Sequence, residues 1–227
     1  MDFLQRIIAM PLEQLPFFLV TIMIAFTVHE FAHAYFANKF GDPTARLLGR
    51  LTLNPASHID FFGVLLIVIA GFGWARPIPV NRANFDRPRL MGIIVSVAGP
   101  VSNLLLAIAG AAVYMALIAA GAVDANSNVQ LLRAFDTFFS IFVYMNLFLF
   151  FFNLIPLPPL DGYRVVEDLA TGQVRGKLQQ FEQWSIFIFL LIVFIPALSR
   201  AVILPLQIWA FDIREELFTF FGRLFGL

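Results

Sequence analysis

The sequence predicts an all-α polytopic membrane protein, and three observations carry that prediction. Of 227 residues, 60% are hydrophobic and only 13% charged, where a soluble domain carries about a quarter charged residues. Mean hydropathy is +0.84, with 28 phenylalanines. Several apolar blocks approach or exceed the ~20 residues needed to span a bilayer. The expected architecture is about four spanning helices, a short re-entrant segment and an interfacial C-terminal helix. Small extended segments are expected near the cytoplasmic face. A single domain is expected over 1–227, with its core at about 15–170 and C-terminal helices over 184–227.

The blocks run in order. The N-terminus, "MDFLQRIIAM", has an acid at position two and no small-residue cleavage site after the apolar run, so it is expected to be retained. Block one runs from about Leu15 to Phe36. Block two, Phe61 to Trp74, has about fourteen residues and is broken by glycines, which suits a re-entrant segment better than a span. Block three runs from Leu90 to Ala120 and block four from about Phe135 to Ile155. Block five runs from Trp184 to about Leu206, with Pro196 expected to kink or end it. The tail, "WAFDIREELFTFFGRLFGL", mixes charges with aromatics and reads as an amphipathic interfacial helix.

Two connections read as extended. From Arg46 to Leu53 basic and polar residues partly alternate with leucine, and in "GWARPIPVN" each proline disfavours helix at the residue before it. Basic residues gather in three connections, at Lys39, Arg46 and Arg50, at Arg76, Arg82, Arg87 and Arg89, and at Arg164, Arg175 and Lys177. The connection from Gly121 to Leu132 has none. The positive-inside rule places the three basic connections in the cytoplasm and the fourth outside. That requires block two to dip in and return, with Gly71 and Gly73 supplying the turn, and it puts the N-terminus outside.

Charge balance excludes some functions. Fifteen basic and fifteen acidic residues leave no net charge to attract nucleic acid, and the absence of cysteine removes disulfide and thiolate chemistry.

The chemistry starts at "TVHEFAHAYF", Thr27 to Phe36. His29 and His33 are four apart, so on a helix their imidazoles share one face. Two neutral imidazoles so spaced can hold zinc, with Glu30 beside it to take a proton from the attacking water. An ionisable trio inside an apolar helix costs several kcal/mol, roughly 3 for a carboxylate on insertion scales, so a functional reason is expected. Catalytic zinc needs a third protein ligand. With no cysteine, that ligand is His58 or a carboxylate. "NLIPLPPLDG", Asn153 to Gly162, ends block four with prolines and then Asp161. Helix-breaking prolines at membrane depth are tolerated where the backbone lines a protein cavity, which makes Asp161 a natural candidate.

"HEFAH" followed far downstream by "NLIPLPPLDG" resembles the site-2 protease family of intramembrane zinc metalloproteases (peptidase family M50). "AGPVSN" (Ala98 to Asn103) and "NPASHID" (Asn54 to Asp60) are similar to its short prokaryotic branch, and no PDZ-like insertion is visible. The resemblance covers about residues 20 to 170. It implies one Zn2+ per chain held by His29, His33 and Asp161. Glu30 is then the general base, and Asn153 faces the site and binds substrate backbone or the developing oxyanion. An interhelical hydrogen bond is the competing role for Asn153. Asn103 is expected to be structural, and His58 either contacts substrate or zinc or is a satisfied loop histidine.

The expected function is hydrolysis of peptide bonds in or near transmembrane segments of membrane proteins. The expected setting is a multi-pass protein of the plasma membrane, with its active site toward the cytoplasm. Partners are then the substrate helix and the lipid bilayer. A helical substrate must unwind, and the two extended segments are expected to pair with the opened strand. A metal-ion transporter is the alternative, because histidine and glutamate on membrane helices also mark ion paths. An inactive substrate-binding relative is a further one.

Overall fold

The computed structural model describes residues 11–70, 73–122 and 129–227. The N-terminal decapeptide, and with it the retained N-terminus read above, lies outside the described residues. So do Gly71 and most of the connection between blocks three and four.

The architecture is helical, with no strand among the described residues. Among the described residues, three helices are long and apolar enough to cross a membrane: α1 (Leu15–Lys39), α3 (Pro88–Ala119) and α4 (Val129–Asn153). At 1.5 Å per residue the 25 residues of α1 extend about 37 Å, more than a ~30 Å hydrocarbon core. Between them lies the short helix α2 (Phe61–Ala70), and after them come α5 (Asp161–Leu169), α6 (Gly172–Phe194) and α7 (Pro196–Leu224). Proline sits in the first turn of α1, α3 and α7, where its missing N–H has no helical partner to lose. The chain is a multi-pass membrane protein.

Block two does not cross. Its helix has ten residues, a rise of about 15 Å, half of what a span needs. Entry and exit meet, since Arg76 N–H donates to the His58 carbonyl at 2.8 Å. The returning backbone also packs on the helix it left. A Cβ placed on Gly63 would strike the Trp74 carbonyl oxygen and come within 3.1 Å of its nitrogen. Only glycine permits that approach. Ile67 of this segment joins Phe18, Ile22, Ala25 and Phe26 of α1 and Leu149 of α4 in one apolar cluster.

The first two basic connections lie together. The Asp42 carboxylate, just past α1, accepts from Asn81 N–H and Asn84 Nδ2, each at 2.7 Å, and from Thr44. Burial alone would raise the Asp42 carboxyl, but the Thr44 hydroxyl and the donors of Asn81 and Asn84 outweigh it and hold its pKa below the usual carboxylate range. Arg46 and the turn Arg82–Asn84 are therefore at the same end of the bundle. Single cysteines at Arg46 and at exposed Ala83 should be labelled by a membrane-impermeant thiol reagent from one side only. Labelling from opposite sides would refute this topology. Ala83 serves because the neighbouring Arg82 is engaged with Asp168 at 2.9 Å.

One detail differs from the sequence reading. Arg46–Leu53 is not extended throughout; it begins in a four-residue helical turn, Thr44–Leu47, because "TARL" satisfies one helical turn as readily as a strand. Block five breaks at Pro196, as expected. The chain is extended at Ile195, and the apolar end of α6, Phe187–Phe194, meets α7 at 86°. The tail is the continuation of the 29-residue α7. Its Ala210 is fully buried among Ala107 and Ala111 of α3 and Val143 and Leu147 of α4, with Ile213, Leu217 and Phe221 packed against the same cluster.

Candidate metal centre

The centre is assembled from α1, α3 and the start of α5. His29 and His33 lie one turn apart on α1, both buried. The turns after α4, over Leu154–Leu160, bring Asp161 back to them as the first residue of α5. The far end of α5 is pinned by Arg82 on buried Asp168 and by Arg164, which donates to Glu182 at 2.7 Å. The helix that begins with Asp161 is thus pinned beyond its first turn.

His29 Nε2 lies 3.1 Å from His33 Nε2 and 3.1 Å from Asp161 Oδ2. His33 Nε2 lies 3.3 Å from the same oxygen. Four tetrahedral ligands with bonds of about 2.0–2.1 Å stand about 3.3 Å apart, so these separations have the size of a zinc coordination triangle.

The hydrogen-bond network fixes the tautomers. Asn103 Nδ2 donates to Asn146 Oδ1 at 3.0 Å and to the Ala25 carbonyl at 3.3 Å. Its Oδ1 is therefore the acceptor for His29 Nδ1–H, at 2.7 Å. His33 Nδ1–H donates to the Val95 carbonyl at 2.7 Å. Both Nε2 atoms then present lone pairs, and both face a carboxylate oxygen that is buried and has no hydrogen-bond donor. Three lone pairs aimed at one point repel unless a cation lies between them. The donor set, two imidazoles and a carboxylate, suits zinc. Outer hydrogen bonds of this kind orient histidine ligands.

Glycine makes room for the centre. A Cβ on Gly99 of α3 would lie 2.6 Å from His29 Nε2 and closer still to His33 Nε2.

The other residues named from sequence are placed as follows. Glu30 is buried, and its Oε2 accepts from Ile78 N–H at 2.9 Å. Asn153, the last residue of α4, donates from Nδ2 to the Leu149 carbonyl of its own helix at 3.0 Å. His58 stands apart from the metal group. It is fully buried, and its Nε2 donates to the Thr52 carbonyl at 2.7 Å. Asn103, expected to be structural, ties α3 to α1 and α4 through Ala25 and Asn146 and also accepts from His29. Asn146 was not singled out at all. Its only signal was a lone amide in an apolar run, and polar residues at such places commonly serve a site.

Comparison with known proteins agrees with this geometry. The model of Peptidase family M50 matches residues 17–136 and 117–196. The chain is similar to the "Putative zinc metalloprotease YwhC" of Bacillus subtilis, 50% identical over 207 residues that cover 89% of this chain and 91% of that protein. It is also similar to the "Putative zinc metalloprotease Rip2" of Mycolicibacterium smegmatis, 29% identical over 93% of this chain and 78% of that protein. The protein of the same name from Mycobacterium tuberculosis is 28% identical over 84% of this chain and 71% of its own length. No solved structure matches. With its ligand triangle, its HExxH helix and this match over most of its length, the chain belongs to peptidase family M50.

Proposed function

We propose that this protein is an intramembrane zinc endopeptidase that cleaves peptide bonds in or near transmembrane segments of other membrane proteins. The observation that carries the reading is the convergence of three lone pairs, from His29, His33 and Asp161, on one buried point of an apolar helical bundle. His29, His33 and Asp161 are assigned as the ligands of one zinc per chain. When bound, the metal supplies Lewis-acid polarisation of the scissile carbonyl and makes water a nucleophile near neutral pH. Glu30 takes the proton of the attacking water and delivers it to the leaving amine. Asn103 and the Val95 carbonyl keep the two imidazoles in the tautomer that leaves Nε2 free. Asn153 is assigned to substrate backbone or the developing oxyanion; its Nδ2 spends one hydrogen on Leu149 and retains another.

The domain is assigned to the whole chain, 1–227. By the positive-inside rule, the end of the bundle carrying Arg46, Arg87 and Arg175 faces the cytoplasm of a plasma-membrane protein. The catalytic centre then lies toward that side, near the cytoplasmic half of α1.

The test is cleavage by purified protein in detergent of a model substrate containing one transmembrane helix, with and without a zinc chelator. Chelator-sensitive cleavage within or beside that helix supports the reading. Zinc flux through proteoliposomes without cleavage would instead favour a transporter.

A further inference from the structure

In "ARPIPV", Ala75 to Val80, prolines stand on both sides of Ile78. Proline has no main-chain N–H, so positions 77 and 79 offer no donor. Two flanking N–H groups are committed elsewhere. Arg76 N–H donates to the His58 carbonyl at 2.8 Å, and Asn81 N–H donates to Asp42 at 2.7 Å. Ile78 N–H, between them, donates to Glu30 Oε2 at 2.9 Å.

This segment is a strap held at both ends. Upstream, Arg50 Nη2 grips the Arg76 carbonyl at 2.7 Å. Downstream, Asp42 holds Asn81 and Asn84. Pro79 also restricts Ile78 itself, because a residue before proline is pushed to extended conformations. The donor therefore belongs to a stiff segment tied on either side of the carboxylate it meets.

We infer that the main-chain N–H of Ile78 is the positioning donor for Glu30, and that Pro77 and Pro79 dedicate it to that role. The inference rests on the general-base reading of Glu30. A glutamate carries three side-chain torsions, and unrestrained it samples several rotamers. A charge-assisted hydrogen bond to one oxygen fixes the carboxylate and leaves Oε1 to face the water whose proton it takes. Placement of a catalytic group matters at the ångström level. The same N–H cannot pair with an opened substrate strand while it holds Glu30. The strap's part in substrate pairing is thereby confined to its other groups.

The test replaces one atom. Incorporating the α-hydroxy acid analogue of isoleucine at position 78 exchanges the N–H for an ester oxygen and keeps the side chain. With a transmembrane model substrate, kcat should fall about 10-fold or more, with KM and zinc content unchanged. Ile78→Val, which keeps the N–H, should retain full kcat. A second readout needs no turnover. Amide exchange at Ile78, measured on a peptide in which two neighbours have no amide, should speed up by on the order of 10-fold in Glu30→Ala. It should stay slow in Glu30→Gln, whose side-chain carbonyl still accepts. An ester variant with unchanged or raised kcat overturns the inference, as does a change confined to KM. So does Ile78 exchange indifferent to Glu30→Ala. A Glu30→Gln protein that cleaves at the wild-type rate would defeat the general-base reading itself.

Discussion

Glu30→Gln is expected to lower the cleavage rate at least ~100-fold, the scale of a positioned general base, while zinc stays bound. The substitution keeps the shape of the side chain and an acceptor for Ile78 N–H. It removes the carboxylate that the proposed mechanism uses as its base. The atoms that could hold the metal belong to His29, His33 and Asp161, so metal content should not follow the loss of activity. Rate and zinc measured on the same preparation make the check. An active Glu30→Gln enzyme would mean that another group carries the proton.

Gly99→Ala is the second substitution with a large expected effect, and its sign is opposite to what helix propensity alone gives. Alanine in place of glycine inside α3 should favour the helix by up to about 1 kcal/mol. The added methyl, however, would stand 2.6 Å from His29 Nε2 and closer to His33 Nε2. Neither ring can swing aside cheaply, because Asn103 and the Val95 carbonyl hold their other nitrogens. Zinc affinity should fall by about 10- to 100-fold or more, and cleavage with it. Thermal stability of the chelated protein should fall as well, because overpacking against two held rings costs about 1–3 kcal/mol and outweighs the gain in helix propensity. A Gly99→Ala protein with normal zinc and activity would show that α3 does not approach the ligands as described.

Much of the site was legible because its signals are local or chemically costly. His29, Glu30 and His33 announce themselves by four-residue spacing inside an apolar run. Asp161 does so by following three prolines at the end of a helix. The re-entrant segment followed from its length and from the distribution of arginines, and the bond between Arg76 and His58 closes it. What the sequence hid depends on long-range contact. Asn103 and Asn146 lie 43 positions apart and meet at 3.0 Å, and no periodicity encodes that meeting. "AGPVSN" read as a packing motif because small residues allow close approach of helices. Gly99 does allow it, but the approach serves the imidazoles. The tail carries charges among aromatics, which reads as an interfacial helix. Arg214 reaches Ser140 of α4 at 2.9 Å, and the apolar face of α7 packs on α3 and α4. His58 was ambiguous because a lone loop histidine has no spacing partner; its Nε2 bonds to the Thr52 carbonyl, while its buried Nδ1 has no hydrogen-bond partner.

Metal analysis of the purified protein, wild type beside Asp161→Ala, tests the central claim most directly. The geometry predicts about one zinc per wild-type chain. It predicts loss of most of that zinc when Asp161 Oδ2 is removed from its place 3.1 Å from His29 and 3.3 Å from His33. Full zinc occupancy in Asp161→Ala would contradict the account.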